Sequence, residues 1–236
     1  MTIPTSSIDV AILCGGRGTR LQTVVNDRPK PMAEINGKPF LDFLIKRIAS
    51  YGFRRFILCT GYKSAHIADY YNKLHDQLTY IISEETSPLG TAGAISNAKH
   101  KFKSNPVLVL NGDSYCPTNL SQLIDFHKCK QAATTIVLTE IENPQDFGVI
   151  TLNQQEQISG FNEKPQSSEP GIINAGIYVL SSNAIASIPT GKSASLETEV
   201  FPALIAKGEV YGYTSHEKLI DIGTPEQLEK AKQTMH

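Results

Sequence analysis

Glycine and basic residues are concentrated in "ILCGGRGTRLQTVVNDRPKPM", residues 12–32, directly after an apolar run. Glycine lets a ligand approach the peptide N–H groups, and Arg and Lys supply charge and donors that suit phosphate oxygens. The segment is not a Walker A loop, and Leu21 replaces the third glycine of a dinucleotide-binding fingerprint. An ordinary strand-to-helix turn would gain nothing from Arg17, Arg20 and Lys30. We therefore interpret the segment as a loop that binds a small anion.

Two aspartates follow or interrupt apolar runs and could hold a cation beside phosphates. Asp113 in "NGDS" comes just after a predicted strand, and Asp221 in "IDIGTPE" lies between two apolar residues. A carboxylate in apolar surroundings needs a cationic partner, and carboxylate oxygens suit Mg²⁺. Asp113 alone could simply form a turn. The two together favour a Mg²⁺ site.

The segment "PLGTAGAIS" combines a tight turn with small residues that open a helix, so a flat ring could lie against its backbone. A plain helix start with Thr91 as N-cap is the alternative. Glu84 and Glu85 come just before this turn. One of the two carboxylates could face such a ring, and two solvated loop carboxylates are the alternative.

A second acid and base pair stands in "FNEKP", where Glu163 and Lys164 follow a predicted strand. Adjacent side chains of a strand point to opposite faces, so one of the two could face a ligand. A solvated surface pair is the alternative. The six histidines are scattered, without metal-binding spacing or a Ser-His-Asp arrangement, and we interpret them as surface or packing residues.

Composition narrows the partners and the compartment. The formal net charge is −1 and the isoelectric point is about 6.6, which argues against nucleic acid as a partner. The four cysteines form no CxxC pair and lie mostly in apolar, strand-like segments, which indicates buried free thiols in a reducing compartment. We find neither a signal peptide nor an apolar stretch long enough for a membrane span, so we expect a cytoplasmic protein without a membrane partner.

The order of apolar runs predicts the fold. Runs at residues 8–13, 55–60, 78–83 and 106–111 alternate with amphipathic segments such as "KPFLDFLIKRIASYGF". This order predicts a parallel sheet covered on both faces, with a ligand site at the carboxyl ends of its strands. Beyond residue 125 strands dominate, so the sheet becomes mixed, and a helix capped by Thr224 and Pro225 follows. We expect one α/β domain over residues 1–236, with a Rossmann-like three-layer α/β/α arrangement and a mixed central sheet.

Taken in order, "LCGGRGTRLQTVVNDRPKPM", "PLGTAGAI", "NGDS", "FNEKP", "INAGIYVL" and "IDIGTPE" resemble the sugar-1-phosphate nucleotidyltransferases over nearly the whole chain. The resemblance implies the nucleotide-diphospho-sugar transferase fold and Mg²⁺-assisted transfer of a nucleoside monophosphate to a sugar 1-phosphate. "RLQTVVNDRPKPMAEINGKPFLDFLI" and "SLETEVFPALI" are most similar to the branch that uses GTP and D-glycero-α-D-manno-heptose 1-phosphate. This likeness implies guanine as the base, and Glu84 or Glu85 would read it, because one carboxylate can accept the adjacent N1–H and N2–H₂ donors of guanine. We expect no C-terminal β-helix domain.

The resemblance also implies roles for individual residues. Lys30 would contact the nucleotide phosphates and Lys164 the sugar phosphate. The expected nucleotide site comprises Leu13, Gly15, Gly16, Gly18, Thr19, Arg20, Lys30, Glu84, Glu85, Gly90, Thr91 and Asp113. The expected sugar site comprises Asn111, Gly148, Glu163, Lys164 and Asn174. Mg²⁺ would be held by Asp113 and Asp221, and the catalytic group would be Arg20, Lys30, Asp113, Lys164 and Asp221.

Other functions fit parts of the same pattern. A uridylyl- or cytidylyltransferase acting on another sugar 1-phosphate is the nearest alternative. A catalytically silent subunit that binds nucleotide sugars is the alternative outside enzymes, but such a module has no need to keep both aspartates. Cys14 departs from the alanine of many relatives, and we do not consider it catalytic. The sequence leaves the oligomeric state open and is compatible with a homo-oligomer.

Overall fold

The computed structural model describes residues 3–142, 144, 149–162 and 170–235. Within them the strands are β1 Asp9–Cys14, β2 Glu34–Ile35, β3 Lys38–Pro39, β4 Arg55–Thr60, β5 Thr79–Glu84, β6 Val107–Asn111, β7 Ser114–Tyr115, β8 Thr134–Ile141, β9 Val149–Leu152, β10 Ile158–Asn162, β11 Gly171–Leu180, β12 Val210–Thr214 and β13 Ile220–Asp221. The α-helices are α1 Phe40–Ser50, α2 Ser64–Tyr71, α3 Gly90–Ala98, α4 Leu120–Lys130, α5 Ser182–Ala186, α6 Phe201–Ile205 and α7 Pro225–Thr234.

The central sheet changes from parallel to mixed along its width. The strands β6, β1, β4 and β5 lie side by side in parallel, and β11 joins β6 in the antiparallel direction. On its other edge β11 pairs with β8, which in turn pairs in parallel with β12. The predicted parallel strands correspond to β1, β4, β5 and β6 within one residue at each end, and the predicted change to a mixed sheet is confirmed.

Helices cover both faces of this sheet, and the alternation of β1 side chains shows why. Val10 and Ile12 pack into one hydrophobic core with α1, α2, α4 and α7, whereas Ala11 packs into the opposite core with α3, α5 and α6. Successive strand residues point to opposite faces, so a continuous apolar strand needs a helical layer on each side. The expected three-layer α/β/α arrangement is confirmed.

The last helix begins where its sequence predicted. The Thr224 side chain accepts a hydrogen bond from Gln227 N, the Gln227 side chain accepts one from Thr224 N, and Pro225 is the first helical residue. This capping box satisfies two N–H groups that the helix cannot pair internally. Helix α7 begins four residues after Asp221, the last residue of β13, so the cap also orients the short connection that follows Asp221. Within the described ranges, no helix has both the length and the apolar character needed to cross a bilayer.

Candidate active site

Three parallel strands end in register at the predicted edge of the sheet. Cys14 of β1 lies opposite Thr60 of β4, and Thr60 lies opposite Glu84 of β5. The next residue of each chain segment is therefore Gly15, Gly61 and Glu85. A Cβ atom on Gly15 would lie 2.8 Å from Glu85 Oε1, and one on Gly61 would lie 2.6 Å from the same oxygen. Both positions lack a side chain because the Glu85 carboxylate occupies that space.

The two predicted guanine readers are separated by this geometry. Glu85 accepts a hydrogen bond from Leu89 N at 3.2 Å, and its partial burial raises the pKa of its carboxyl. Glu84 is exposed, its backbone carbonyl accepts from the Asn97 side chain at 3.1 Å, and its side chain lines neither of the two cavities described below. The structure thus places Glu85 at the site edge and leaves Glu84 away from it.

Glu85 is part of a cavity of about 350 Å³, which we call the α3 cavity. It is lined by Leu13, Gly15, Gly16, Arg17, Glu85, Pro88, Gly90, Thr91, Ala94, Asn111 and Asp113. Helix α3 begins at Gly90, which has φ +71° and whose Cβ would lie 2.5 Å from Ala194 O. Thr91 is therefore inside the helix, and the N-cap position is Leu89. The alternative in which Thr91 caps the helix is wrong, because its hydroxyl is bonded to Glu197 instead.

A second cavity of about 260 Å³ adjoins the first, and we call it the loop cavity. It is lined by Leu13, Cys14, Gly16, Gly18, Thr19, Arg20, Lys30, Pro31, Asp113 and Gly223. Gly18 has φ +59°, and a Cβ there would lie 3.0 Å from Lys30 Cβ, so the loop packs directly on the Lys30 stem. The two cavities share Leu13, Gly16 and Asp113 and form one continuous site.

Lys30 joins the two predicted metal ligands at the floor of the loop cavity. Its Nζ donates to Asp113 Oδ2 at 2.7 Å and lies 4.0 Å from Asp221 Oδ1. The pairing of β13 with β7 sets Asp221 opposite Ser114. Ser114 Oγ donates to Asp221 Oδ2 at 3.0 Å and lies 3.3 Å from Asp113 Oδ1, and Gly223 N donates to Asp221 Oδ1 at 2.6 Å.

The charges within this cluster act on one another. Burial and the neighbouring Asp113 carboxylate raise the pKa of Asp221, whereas the Lys30 ammonium opposes both effects. Two carboxylates that share one cation repel each other when that cation is removed. The apolar residues around Asp221 required a cationic partner, and the structure supplies Lys30 in that place.

The donor set of the cluster fits a hard divalent cation. Asp113 and Asp221 offer carboxylate oxygens, and Ser114 adds a hydroxyl. The described ranges contain no group of three or more His, Cys, Asp and Glu side chains placed to hold a metal ion. The protein would thus supply two carboxylates and leave the other positions to water and phosphate oxygens, as is typical of Mg²⁺ beside a nucleotide.

Cys14 lies beneath the loop and takes no nucleophilic role. Its side chain is buried, and burial raises the pKa of the thiol well above its ordinary value. A thiol of high pKa stays protonated near neutral pH and is a poor nucleophile. The cysteines at positions 14, 59, 116 and 129 are all free, as predicted; the first three are buried, whereas Cys129 is exposed on α4, so the expected burial is wrong for that residue.

The structure places most of the predicted site residues together. The loop and α3 cavities contain Leu13, Gly15, Gly16, Gly18, Thr19, Arg20, Lys30, Glu85, Gly90, Thr91, Asn111 and Asp113, and Asp221 adjoins them through Lys30. Asn174 lines neither cavity, and its Nδ2 donates to Tyr178 Oη at 2.9 Å. The expected sugar-site residues Gly148, Glu163 and Lys164 lie outside the described residues.

Sequence reasoning missed several residues that shape the site. Gly61 provides space for Glu85, and Ser114 bridges the aspartates. Each had a signal, because Gly61 follows a predicted strand as Gly15 does and Ser114 follows Asp113. Glu197 lies in "SLETEVFPALI", but nothing in that segment singled it out, since two of its three partners, Thr91 and Tyr178, lie on α3 and β11.

The site can now be compared with known proteins. The chain is 39% identical over 229 residues to the mannose-1-phosphate guanylyltransferase of Mycobacterium tuberculosis, covering 95% of this chain and 63% of that protein. It is 31% identical over 228 residues to the D-glycero-alpha-D-manno-heptose 1-phosphate guanylyltransferase of Aneurinibacillus thermoaerophilus, covering 97% and 98%. The crystal structure of HddC from Yersinia pseudotuberculosis complexed with GMP-PN superposes with a TM-score of 0.85 at 33% identity, covering 97% of this chain and 100% of that one.

A profile of a whole family covers the same region. The profile described as nucleotidyl transferase matches residues 10–236, which include both cavities and the aspartate pair. The likeness to heptose 1-phosphate guanylyltransferases that the motifs indicated is confirmed, and a mannose-1-phosphate relative stands beside them. With the glycine loop, the two aspartates and the mixed sheet all in place, the chain belongs to the nucleotidyl transferase family.

Proposed function

We propose that this protein transfers a guanylyl group from GTP to a sugar 1-phosphate, with D-glycero-α-D-manno-heptose 1-phosphate as its sugar, and releases pyrophosphate. The observation that carries the proposal is the continuous site. The cationic loop and the Lys30 cluster lie at one end, and Glu85 lies at the other. A nucleoside triphosphate has the same polarity, because its phosphates are anionic and its base carries hydrogen-bond donors.

Glu85 supports guanine as the base. The carboxylate accepts only one hydrogen bond among the described residues, from Leu89 N, so oxygen lone pairs remain for a ligand. Guanine presents N1–H and N2–H₂ side by side, and a carboxylate can accept both. Uracil and cytosine lack this pair of adjacent donors. The relatives named above are guanylyltransferases, which supports the same base.

The chemistry needs positioning and charge neutralisation more than a protein nucleophile. A phosphate oxygen of the sugar 1-phosphate attacks the α-phosphorus of GTP, the new P–O bond forms, and the bond to the pyrophosphate breaks in line with it. Lys30 and Arg20 line the loop cavity and can neutralise phosphate charge during this step. Lys164, in the proposed role, would hold the incoming phosphate.

Mg²⁺ belongs to this proposal through its ligands. Asp113 and Asp221 would hold it, and when bound it supplies positive charge that reduces repulsion between the two anionic substrates. Lys30 contacts Asp113, lies 4.0 Å from Asp221 and lines the loop cavity, so in this proposal it holds the two carboxylates together and faces the nucleotide phosphates. The protein groups thus orient and neutralise, and none forms a covalent bond to substrate.

The sugar is proposed as one of manno configuration. Both relatives are named for manno sugars, one a hexose and one a heptose, so mannose 1-phosphate is the second candidate. The observation that favours it is the 39% identity to the mannose-1-phosphate enzyme, which itself is longer than this chain. Either sugar places the same phosphate on C1 and leaves the transfer chemistry unchanged.

A pyrophosphate-release assay tests the proposal. The purified protein is given GTP, UTP, CTP or ATP with each of the two manno sugar 1-phosphates and with glucose 1-phosphate. We expect release with GTP and a manno sugar, faster with the heptose, and its loss when EDTA removes Mg²⁺. A preference for UTP or CTP would refute the guanylyl assignment. Binding of a nucleotide sugar without release in any combination would favour the silent subunit.

A further inference from the structure

A segment 100 residues away in sequence braces the helix that forms one wall of the α3 cavity. Ala194 N donates to Leu89 O at 2.8 Å, and Ala194 O accepts from Ala92 N and Gly93 N at 3.0 and 3.2 Å. These bonds hold residue 194 against the first turn of α3. The chain then makes a π-helical turn over Leu196–Val200. Such turns are rare in proteins, and those that occur often lie at functional sites.

Glu197 stands at the centre of the hydrogen bonds made by this turn. Its Oε2 accepts from Thr91 Oγ1 at 2.7 Å and from Ser195 Oγ at 3.0 Å. Its Oε1 accepts from Tyr178 Oη at 3.1 Å. One carboxylate therefore joins α3, through Thr91, to β11, through Tyr178.

The hydroxyl of Thr91 is fully engaged inside the protein. Its proton goes to Glu197, and its oxygen accepts from Leu196 N at 2.8 Å. Thr91 lines the α3 cavity, yet it has no proton left to donate to a ligand. Its contribution to the cavity is the position of its backbone, and that position depends on the hydrogen bond from its hydroxyl to Glu197.

Tyr178 extends the link to the far strand. Its side chain is completely buried in the sheet, and its Oη donates to Glu197 while accepting from Asn174 Nδ2. A buried hydroxyl that loses its acceptor carries a desolvation cost, so this arrangement resists change. Hydrogen bonds through Glu197 therefore connect the wall of the α3 cavity to the middle of β11.

The arrangement requires a carboxylate rather than any polar residue. Three hydroxyl groups donate to Glu197, and a carboxylate accepts at both oxygens, whereas glutamine would turn an NH₂ group toward one of them. The turn itself is already capped, because Ser195 Oγ accepts from Glu197 N and Thr198 N at 3.2 Å each. The turn is therefore capped without the Glu197 carboxylate, and capping does not explain why a carboxylate occupies this position.

We propose that Glu197 is a positioning residue, which acts through Thr91 to set the α3 wall of the nucleotide cavity and ties that wall to β11. The inference rests on the proposed function in that it assigns the α3 cavity to the nucleotide. Glu199 offers a matched control, because it is exposed and its Oε1 accepts from Ser195 N at 2.9 Å. It supports the same turn without contacting Thr91 or Tyr178.

The test measures nucleotide binding by calorimetry, without sugar phosphate and at fixed Mg²⁺. We expect Glu197→Gln and Thr91→Val each to weaken GTP binding about tenfold, the lower end of what a charge-assisted hydrogen bond contributes. Thr91→Ser keeps the hydroxyl and should stay within about twofold of wild type, as should Glu199→Gln. The double variant of Glu197→Gln and Thr91→Val should bind no more weakly than the weaker single variant, because both remove one interaction.

The outcomes separate the inference from the proposed function. If wild type binds GTP and both Glu197→Gln and Thr91→Val bind it equally well, the inference is wrong while the proposed function stands. Additive losses in the double variant also overturn it, since Thr91 would then act independently of Glu197. If wild type binds none of the four nucleoside triphosphates, the proposed function fails and the inference with it. Should Glu197→Gln not fold, the comparison of Thr91→Val with Thr91→Ser decides the matter alone.

Discussion

The Lys30 cluster allows a prediction that needs no substrate. Replacing Lys30 by Met removes the ammonium that donates to Asp113 at 2.7 Å and lies 4.0 Å from Asp221. The side chains of Lys30 and Asp221 are only 11% and 18% exposed, whereas that of Asp113 is 34% exposed. The variant therefore leaves two neighbouring carboxylates, one of them mostly buried, without their cation.

The expected cost follows from this partial burial. Removing one partner of a fully buried ion pair typically costs about 3–5 kcal/mol. Water reaches Asp113 and screens part of the charge, so we expect a loss of about 2 kcal/mol in the free energy of unfolding, within the range of a charge-assisted hydrogen bond. Because Mg²⁺ would replace the missing positive charge, the variant should regain more stability than wild type when Mg²⁺ is added.

Urea denaturation in EDTA and in millimolar Mg²⁺ measures both effects. Lys232→Met is the matched control, because Lys232 pairs with Glu229 on the surface and such pairs contribute only about 0–1 kcal/mol. The control should lose little stability and show the Mg²⁺ response of wild type. If Lys30→Met is as stable as wild type in EDTA and gains nothing extra from Mg²⁺, the carboxylates are not held together as described.

Three further predictions concern other residues. Glu85→Gln should lower the preference for GTP over UTP by about 1–3 kcal/mol, measured by competition, while Glu84→Gln leaves it unchanged; equal effects would remove Glu85 from base reading. Asp113→Asn and Asp221→Asn should each lower pyrophosphate release about a hundredfold or more with unchanged circular dichroism, and normal release would exclude that residue as a metal ligand. Burial lowers the pKa of His127 to about 4, so between pH 6.5 and pH 4 the unfolded chain binds a proton that the folded chain does not. This residue should therefore lower the free energy of unfolding by about 3 kcal/mol as the pH falls from above 6.5 to 4. Urea titrations of His127→Gln should show a flatter pH dependence, and an equally steep profile would contradict the prediction.

Glu85 also ties function to stability. Partial burial raises the pKa of its carboxyl, so the folded protein holds that proton to a higher pH than the unfolded chain does. Its ionisation therefore opposes folding as pH rises through the interval between the unfolded and the folded pKa. A bound ligand that donates hydrogen bonds to this carboxylate would offset the free-energy cost of burying its charge. This agrees with a base-reading role for Glu85.

The parts of the fold that could be predicted are those with a local cause. The strands β1, β4, β5 and β6 coincide with runs of mainly apolar residues, so their positions and lengths could be predicted from the amino-acid sequence. The start of α7 follows from Thr224 and Pro225 for the same reason. A strand was expected in "KLIDIG", where β13 lies, whereas the two-residue strand β7 could not be predicted, because two residues carry no periodicity.

The unpredictable part of the site is made of long-range contacts. Asp221 and Asp113 were each recognised from their apolar context, but their shared contact with Lys30 depends on the pairing of β13 with β7. The choice of Glu85 over Glu84 depends on the register of three strands. The alternative in which Thr91 caps its own helix is wrong for the same reason, because its hydroxyl is bonded to Glu197, 106 residues later.

The glycines of the site illustrate the difference between what the local sequence predicts and what depends on long-range contacts. A glycine in a sequence indicates that a position must be empty or unusually bent, and it leaves the cause unstated. Gly15 and Gly61 are empty for one shared carboxylate, that of Glu85, while Gly90 is empty for the carbonyl of Ala194. Gly15 and Gly61 make room for Glu85 at the edge of the α3 cavity, and Gly90 lets Ala194 approach the first turn of α3. An alanine at Gly15 or Gly61 would thus displace the proposed base reader, whereas one at Gly90 would separate α3 from the segment that positions it.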